Sequence, residues 1–210
     1  PLVDTVEDSA RAINAVNTIV NDDGRLTASN TDYIAVQRLI EDHGLTGSQS
    51  VLIHGSGGMA SAVGTAFRDS GFHNGSVIAR NAETGEPLAR RLDYDFASEV
   101  GSRTADIIIN VTPVGMAGGS EEQHRAFDAS TIAKADTVFD VVALPSETPL
   151  IVAARAAGVK VITGAEVIAL QAAEQFQRYT GVRPTAEQVA DASAVARARR
   201  RRGGGAGPSG

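Results

Sequence analysis

Four polar side chains in this sequence stand at the ends of apolar runs, where a folded chain can aim them at a ligand. They are Asn17 in Ala15-Val16-Asn17-Thr18, Asp32 in Asn30-Thr31-Asp32, Thr112 in Asn110-Val111-Thr112-Pro113-Val114-Gly115-Met116, and Gln171 in Gln171-Ala172-Ala173. Oxidising an alcohol with a nicotinamide needs a group that takes the hydroxyl proton, and amides or carboxylates that fix the neighbouring hydroxyls. Asp32 suits the first task. Asn17 and Gln171, each carrying donors and an acceptor, suit the second. Taken one at a time the three have plainer readings: Asn17 as a turn former, Asp32 as a helix-capping acid, Gln171 as a solvated helix position.

The loop that would hold such a nicotinamide follows the apolar run Val51-Leu52-Ile53. Residues 55–60, Gly55-Ser56-Gly57-Gly58-Met59-Ala60, form a G-x-G-x-x-A pattern between a strand and a small-residue helix. Gly55 permits the tight turn, Gly57 lets the backbone approach a pyrophosphate, and Ala60 lets helix and strand pack closely. The helix N-terminus then offers free N–H groups and the positive end of its dipole to the phosphates. After the next strand, Val77-Ile78-Ala79, stands Arg80 rather than the acid that commonly binds the ribose hydroxyls of NAD. An arginine favours a 2′-phosphate, so NADP is the expected cofactor, with NAD as the alternative because Glu83 thins the clamp.

The elements that must position these groups can be read from periodicity and turn signals. Residues 4–13 read as a helix and 16–20 as a strand. Asn21-Asp22-Asp23-Gly24 reads as a hairpin turn into 25–29, and a helix over 32–43 is capped by Thr31 and stopped at Gly44. From Ser50 strands and helices alternate, with strands near 51–54, 76–79, 94–96, 105–111, 137–142 and 159–163 and helices near 59–70, 86–92 and 150–157. This predicts an α/β fold, a doubly wound parallel Rossmann sheet. Helices at 164–179 and 186–199 exceed what the sheet needs and are expected to pack on residues 1–31. The expected organisation is an N-terminal substrate-domain segment over 1–31, a dinucleotide-binding domain with its leading helix over 32–163, C-terminal helices over 164–199 that complete a partial substrate-binding domain, and a disordered tail over 200–210.

Composition narrows the rest. The 210 residues are 42% hydrophobic and lack cysteine, so disulfides and thiolate metal sites are excluded, in keeping with a cytoplasmic location. His43, His54, His73 and His124 are scattered without metal-binding spacing, and no metal is expected. No apolar run is long enough to span a membrane. The net charge of −6 includes a run of arginines at 197 and 199–202, so the remainder is more acidic still and no specific nucleic-acid partner is expected. A homo-oligomer is left open.

The ordered motifs A-V-N-T, D-G-R-L, N-T-D, G-S-G-G-M-A, N-V-T-P-V-G-M, F-D-V-V, E-T-P-L and Q-A-A-E-Q-F-Q-R-Y-T-G resemble the shikimate dehydrogenase family up to about residue 184, in wording most like its shikimate dehydrogenase-like branch. The resemblance implies NADP-dependent interconversion of a cyclic polyhydroxy acid and its keto form, shikimate and 3-dehydroshikimate or a close analogue, within the pathway of aromatic amino acid biosynthesis. It implies Asp32 as the catalytic aspartate, with Asn17, Asp32 and Gln171 as substrate ligands. For the cofactor it implies Gly55, Ser56, Gly57, Gly58, Met59, Ala60, Arg80, Asn81, Thr112, Val142 and Gly164. Four departures accompany it. The family's catalytic lysine and its substrate-gripping serine pair find no match here. Ala143 replaces a tyrosine, and Glu166 replaces a common glycine. The chain as it stands is therefore expected to be nearly inactive, and the alternative reading is a non-catalytic NADP-binding sensor or interaction module.

Overall fold

Two sheets joined by one helix position Asn17, Asp32 and Thr112. The structure is a computed structural model that describes residues 2–203, with side chains described through Val195. The first sheet has the order β1-β3-β2. Strand β1 (Thr5–Val6) runs parallel to β3 (Arg25–Ser29), and β2 (Thr18–Asp22) pairs antiparallel with β3. The hairpin turns at Asp23 and Gly24, both at positive φ (47° and 91°), the backbone that an Asp-Gly pair favours. The helix expected from residue 4 begins later, as α1 (Asp8–Ile13), because Thr5 and Val6 are held by hydrogen-bonded pairing to Thr27 and Ala28.

Helix α2 (Thr31–Asp42) leads from this sheet to the second. Its cap is Asn30, whose side chain accepts from the Tyr33 N–H at 3.0 Å, so Thr31 is the first helical residue and not the cap. The second sheet is wholly parallel, with the order β6-β5-β4-β7-β8-β9: β4 (Val51–His54), β5 (Gly75–Ile78), β6 (Asp95–Ala97), β7 (Ile107–Asn110), β8 (Thr137–Asp140) and β9 (Lys160–Thr163). Side chains alternate between its faces. Ile53, Val77, Ile107, Ile109 and Phe139 face the core shared with α2 and with α3 (Gly58–Asp69). Leu52, Ile78, Ile108 and Val138 face the other core, under α6 (Pro149–Ala156). Burial on both faces explains the near-continuous apolar strands of the sequence.

Two further helices depart from expectation. Helix α4 starts at Ala82 rather than 86 and runs to Leu92, capped by Asn81. Gly85 and Pro87 mask its start in the sequence, and Gly85 is there because a Cβ would lie 2.5 Å from the Phe96 ring. The short α5 (Ala129–Ile132), capped by Asp128, carries too few residues for a periodic signal.

Helix α7 (Gly164–Thr180) packs along α2 and reaches back to the first sheet. Arg178 bridges Glu7 and Glu174 at 2.8 and 2.9 Å, while Gln175 lies 3.5 Å from the hydroxyls of Thr18 and Thr31. Helix α8 (Ala186–Gly203) packs on α7 and continues beyond residue 199, so residues 200–203 of the expected tail are helical. Residues 204–210 of that tail lie outside the described residues. Among the described residues no helix is long and apolar enough to cross a membrane.

Candidate functional site

The hairpin and the start of α2 bring Asn17 and Asp32 together although fifteen positions separate them. The Asn17 Nδ2 donates to Asp32 Oδ2 at 3.0 Å. The Asn17 Oδ1 is taken up by three donors: the Thr18 hydroxyl at 3.0 Å, the Thr31 N–H at 2.9 Å and the Thr31 hydroxyl at 3.1 Å. This fixes which way the amide points. Asn17 can therefore meet a ligand only as a donor, through the second hydrogen of Nδ2. Burial pushes the Asp32 carboxyl above its ordinary value, and the hydrogen bond from Asn17 opposes that rise.

Gln171 is placed one turn of α7 before Gln175, on the side of the helix that faces Thr18 and Thr31. It makes no side-chain hydrogen bond to Asn17 or Asp32. The residues buttressing the pair, Thr18, Thr31 and Gln175, were missed in the sequence. Thr18 and Thr31 adjoin recognised motif residues, whereas the approach of Gln175 depends on how α7 docks.

The glycine loop has the geometry its spacing implies. Gly55 has φ +130°, donates its N–H to the Ile78 carbonyl at 2.8 Å, and leaves no room for a side chain, since a Cβ would lie 2.7 Å from Val111. Gly57 caps α3, and Cβ atoms on Gly57 or Gly58 would meet nothing within 4 Å. Open ground thus lies before the free N–H groups of a twelve-residue helix, which fits a pyrophosphate. Ala60 is fully buried, and the close helix packing assigned to it is shared by Gly64, where a Cβ would meet Leu92 at 2.5 Å. Met59 is half-buried and packs against the core.

Beyond the loop, Ser56 and Thr84 hydroxyls lie 2.7 Å apart, and Thr84 donates to the Asn81 carbonyl at 3.3 Å. The Arg80 side chain is 82% exposed. The acid facing it is Glu121, at 3.8 Å, and not Glu83 as its sequence neighbourhood suggests. His54 closes this corner from the end of β4, its ring edge-on to Phe127 at 5.7 Å. Burial holds its pKa below the ordinary histidine value, so it is neutral near pH 7.

The loops after β7 and β8 are tied by a buried network whose centre, Asn110, Asp140 and Thr148, is absent from the candidate residues. Asp140 accepts from Asn110 Nδ2 at 3.0 Å, the Val142 N–H at 3.1 Å and the Thr148 hydroxyl at 2.6 Å. Asn110 Oδ1 in turn accepts from the N–H and hydroxyl of Thr112. Asn110, Asp140 and Thr148 are all fully buried. A polar residue recurring inside the motifs N-V-T-P, F-D-V-V and E-T-P-L was the available signal. Gly164 completes this wall: a Cβ there would run into the backbone of Val141 and Val142.

The two lysines stand elsewhere. Lys134 precedes β8 and Lys160 opens β9, both exposed at the amino ends of the sheet strands, whereas the glycine loop lies at the carboxyl ends. A groove of about 890 Å³ between α7, α8 and the loop after β8 is lined by Ala143, Leu144, Ile168, Phe176 and Val182. It includes none of Asn17, Asp32 and Gln171, and its apolar walls do not suit a polyol.

No protein-family model matches the chain. A "shikimate dehydrogenase-like protein" of Haemophilus influenzae is 50% identical over 94% of the chain and 73% of its own length. The solved structure of a shikimate 5-dehydrogenase-like protein, also 50% identical, superposes with a TM-score of 0.91 over 94% of the chain and 73% of its own. The Thermus thermophilus shikimate 5-dehydrogenase in complex with NADP(H) and shikimate is 28% identical, with a TM-score of 0.80 over 92% of the chain and 73% of its own. The quinate dehydrogenase from Corynebacterium glutamicum in complex with NAD is 29% identical, with a TM-score of 0.82 over 93% and 73%.

Proposed function

Because this chain belongs to the shikimate dehydrogenase family, we propose that it is an NADP-dependent oxidoreductase that interconverts a cyclic polyhydroxy acid and its keto form, shikimate and 3-dehydroshikimate or a close analogue. The observation that carries this reading is the Asn17–Asp32 pair at 3.0 Å, joined through Thr18 and Thr31 to the helix that holds Gln171. A module that bound only a dinucleotide would have no use for a buttressed amide-carboxylate pair where the first sheet meets α2.

In this reading NADP, when bound, supplies the two-electron acceptor for the alcohol carbon. Gly55, Gly57, Gly58 and the first turn of α3 hold the pyrophosphate, with Ser56, Met59 and Ala60 shaping the loop around it. Arg80 and Asn81 face the adenosine ribose. Thr112, Val142 and Gly164 line the far end of the cofactor. Asn17 donates to a substrate oxygen, Gln171 holds a second hydroxyl, and Asp32 receives the proton released when the alcohol becomes a ketone.

The test is the appearance of reduced nicotinamide when the purified protein is given NADP and shikimate, with quinate as the comparison substrate. Slow turnover with either acid is the expected result, because neither Lys134 nor Lys160 stands beside Asp32 to share the proton transfer. Tight NADP binding with no turnover on any cyclic polyhydroxy acid would favour the non-catalytic sensor. A separate expectation concerns Arg80. Replacing it with alanine should weaken NADP roughly tenfold or more, the size of a lost charge-assisted hydrogen bond, and alter NAD about twofold at most. Calorimetric titration of both nucleotides reads this, and equal losses would remove Arg80 from the 2′-phosphate site.

A further inference from the structure

The corner formed by Arg80, Glu121 and His54 does more than receive a ribose. We propose that Glu121 determines nucleotide specificity: its carboxylate stands beside the guanidinium that a 2′-phosphate would use, and narrows the preference for NADP over NAD. This deepens the reading of Gly55–Ala60 and Arg80 as a dinucleotide site and rests on it.

Three observations support the assignment. Glu121 Oε2 lies 3.8 Å from Arg80, whose side chain is 82% exposed and therefore has little other neighbourhood to define its charge. Glu121 is also held in place. Its backbone carbonyl accepts from the N–H groups of Gly115 and His124, both at 3.0 Å, and the next acid, Glu122, accepts from the Gly118 N–H at 3.0 Å. The loop thus folds back to present an acid over the end of β5 rather than trailing into solvent. Finally, His54 offers no compensating positive charge, since it is neutral near pH 7 and packs against Phe127. The corner therefore carries one cation and one anion of similar reach.

A 2′-phosphate close to dianionic at neutral pH would be drawn to Arg80 and repelled by Glu121, and it would have to displace their ion pair. A 2′-hydroxyl has neither conflict, because a carboxylate is a good acceptor for it. At an exposed site with charges about 5 Å apart, Coulomb repulsion with solvent screening is worth about three- to tenfold in affinity. The amide of glutamine keeps the shape and the acceptor while removing the charge.

Titration of the full chain with NADP and with NAD by calorimetry, or with their reduced forms by nicotinamide fluorescence, tests the proposal. The variant Glu121→Gln should tighten NADP about three- to tenfold and change NAD by about twofold at most, with the gain shrinking as sodium chloride is raised. The gain should shrink in an Arg80→Ala background, where only the direct repulsion is left to relieve, and Glu83→Gln should leave the NADP to NAD ratio unaltered. An unchanged NADP affinity in Glu121→Gln, or equal changes for both nucleotides, overturns the assignment while leaving the dinucleotide site standing. Failure of the unsubstituted protein to bind either nucleotide overturns the site itself, and the assignment with it.

Discussion

Replacing Asp32 with asparagine should lower turnover of the cyclic polyhydroxy acid at least about a hundredfold while nucleotide affinity and folding stay as they are. The reason lies in how the pair is built. Asn17 has its amide oxygen committed to Thr18 and Thr31, so its Nδ2 points at residue 32 whatever that residue is. An asparagine at 32 can still accept from Nδ2 through its own carbonyl, and the hairpin stays pinned to α2. It has no lone pair of comparable basicity with which to take the alcohol proton. The variant therefore separates proton transfer from geometry. A pH profile adds a second readout. Burial raises the Asp32 carboxyl above 3.8, and oxidation needs it ionised. The oxidation rate should climb with pH through a midpoint above the ordinary carboxylate value, and Asp32→Asn should lose that limb. Unchanged turnover in the variant would remove Asp32 from the chemistry.

How much of this was legible beforehand differed by the range of the interaction. The parallel sheet was readable because its central strands β4, β7 and β8 are buried along nearly their whole length and because strands alternate with helices. Ile107 to Ile109 could hardly be anything but a central strand. The glycine loop was readable because Gly55, Gly57 and Ala60 obey local steric rules that any ligand-binding turn of this kind must obey. Caps were readable only to within one residue, since Asn30 and Thr31 are both good capping types and the choice depends on Asn17 claiming the Thr31 N–H and hydroxyl. Glu121 was not readable. It meets Arg80 across forty-one positions through a loop with no periodicity, whereas Glu83 was near in sequence and far less relevant in space. Asp140 was visible as a charge inside the apolar run Val138-Phe139-Asp140-Val141, yet nothing local said whether it faced a ligand or its own scaffold.

For Asp140 the scaffold is the answer, and a large loss of stability is the expected consequence of removing it. Alanine at this position would leave the Thr148 hydroxyl, the Val142 N–H and one hydrogen of Asn110 Nδ2 without the acceptor they share. Leaving buried donors unpaired costs about 1–3 kcal/mol each, and the Asn110 amide keeps its bond to the Val114 carbonyl. A loss of about 3–5 kcal/mol follows, or a fall of roughly 10 °C in Tm for a chain of this size. Asparagine should cost far less, because its oxygen can serve Asn110 and Val142 while its amide donates to Thr148. The two variants also differ in pH response. Burial raises the Asp140 carboxyl, so the native state binds its proton more tightly than the unfolded chain does. Its contribution to stability is then greatest below 3.8 and is lost as pH rises through the folded midpoint. Thermal melts across that window should show this slope in the unsubstituted protein relative to Asp140→Asn. Since the same network sets Thr112 and Val142, Asp140→Ala should also weaken NADP at temperatures where it remains folded. Equal stability of Asp140→Ala and the unsubstituted protein would mean that the loops after β7 and β8 are held by packing alone.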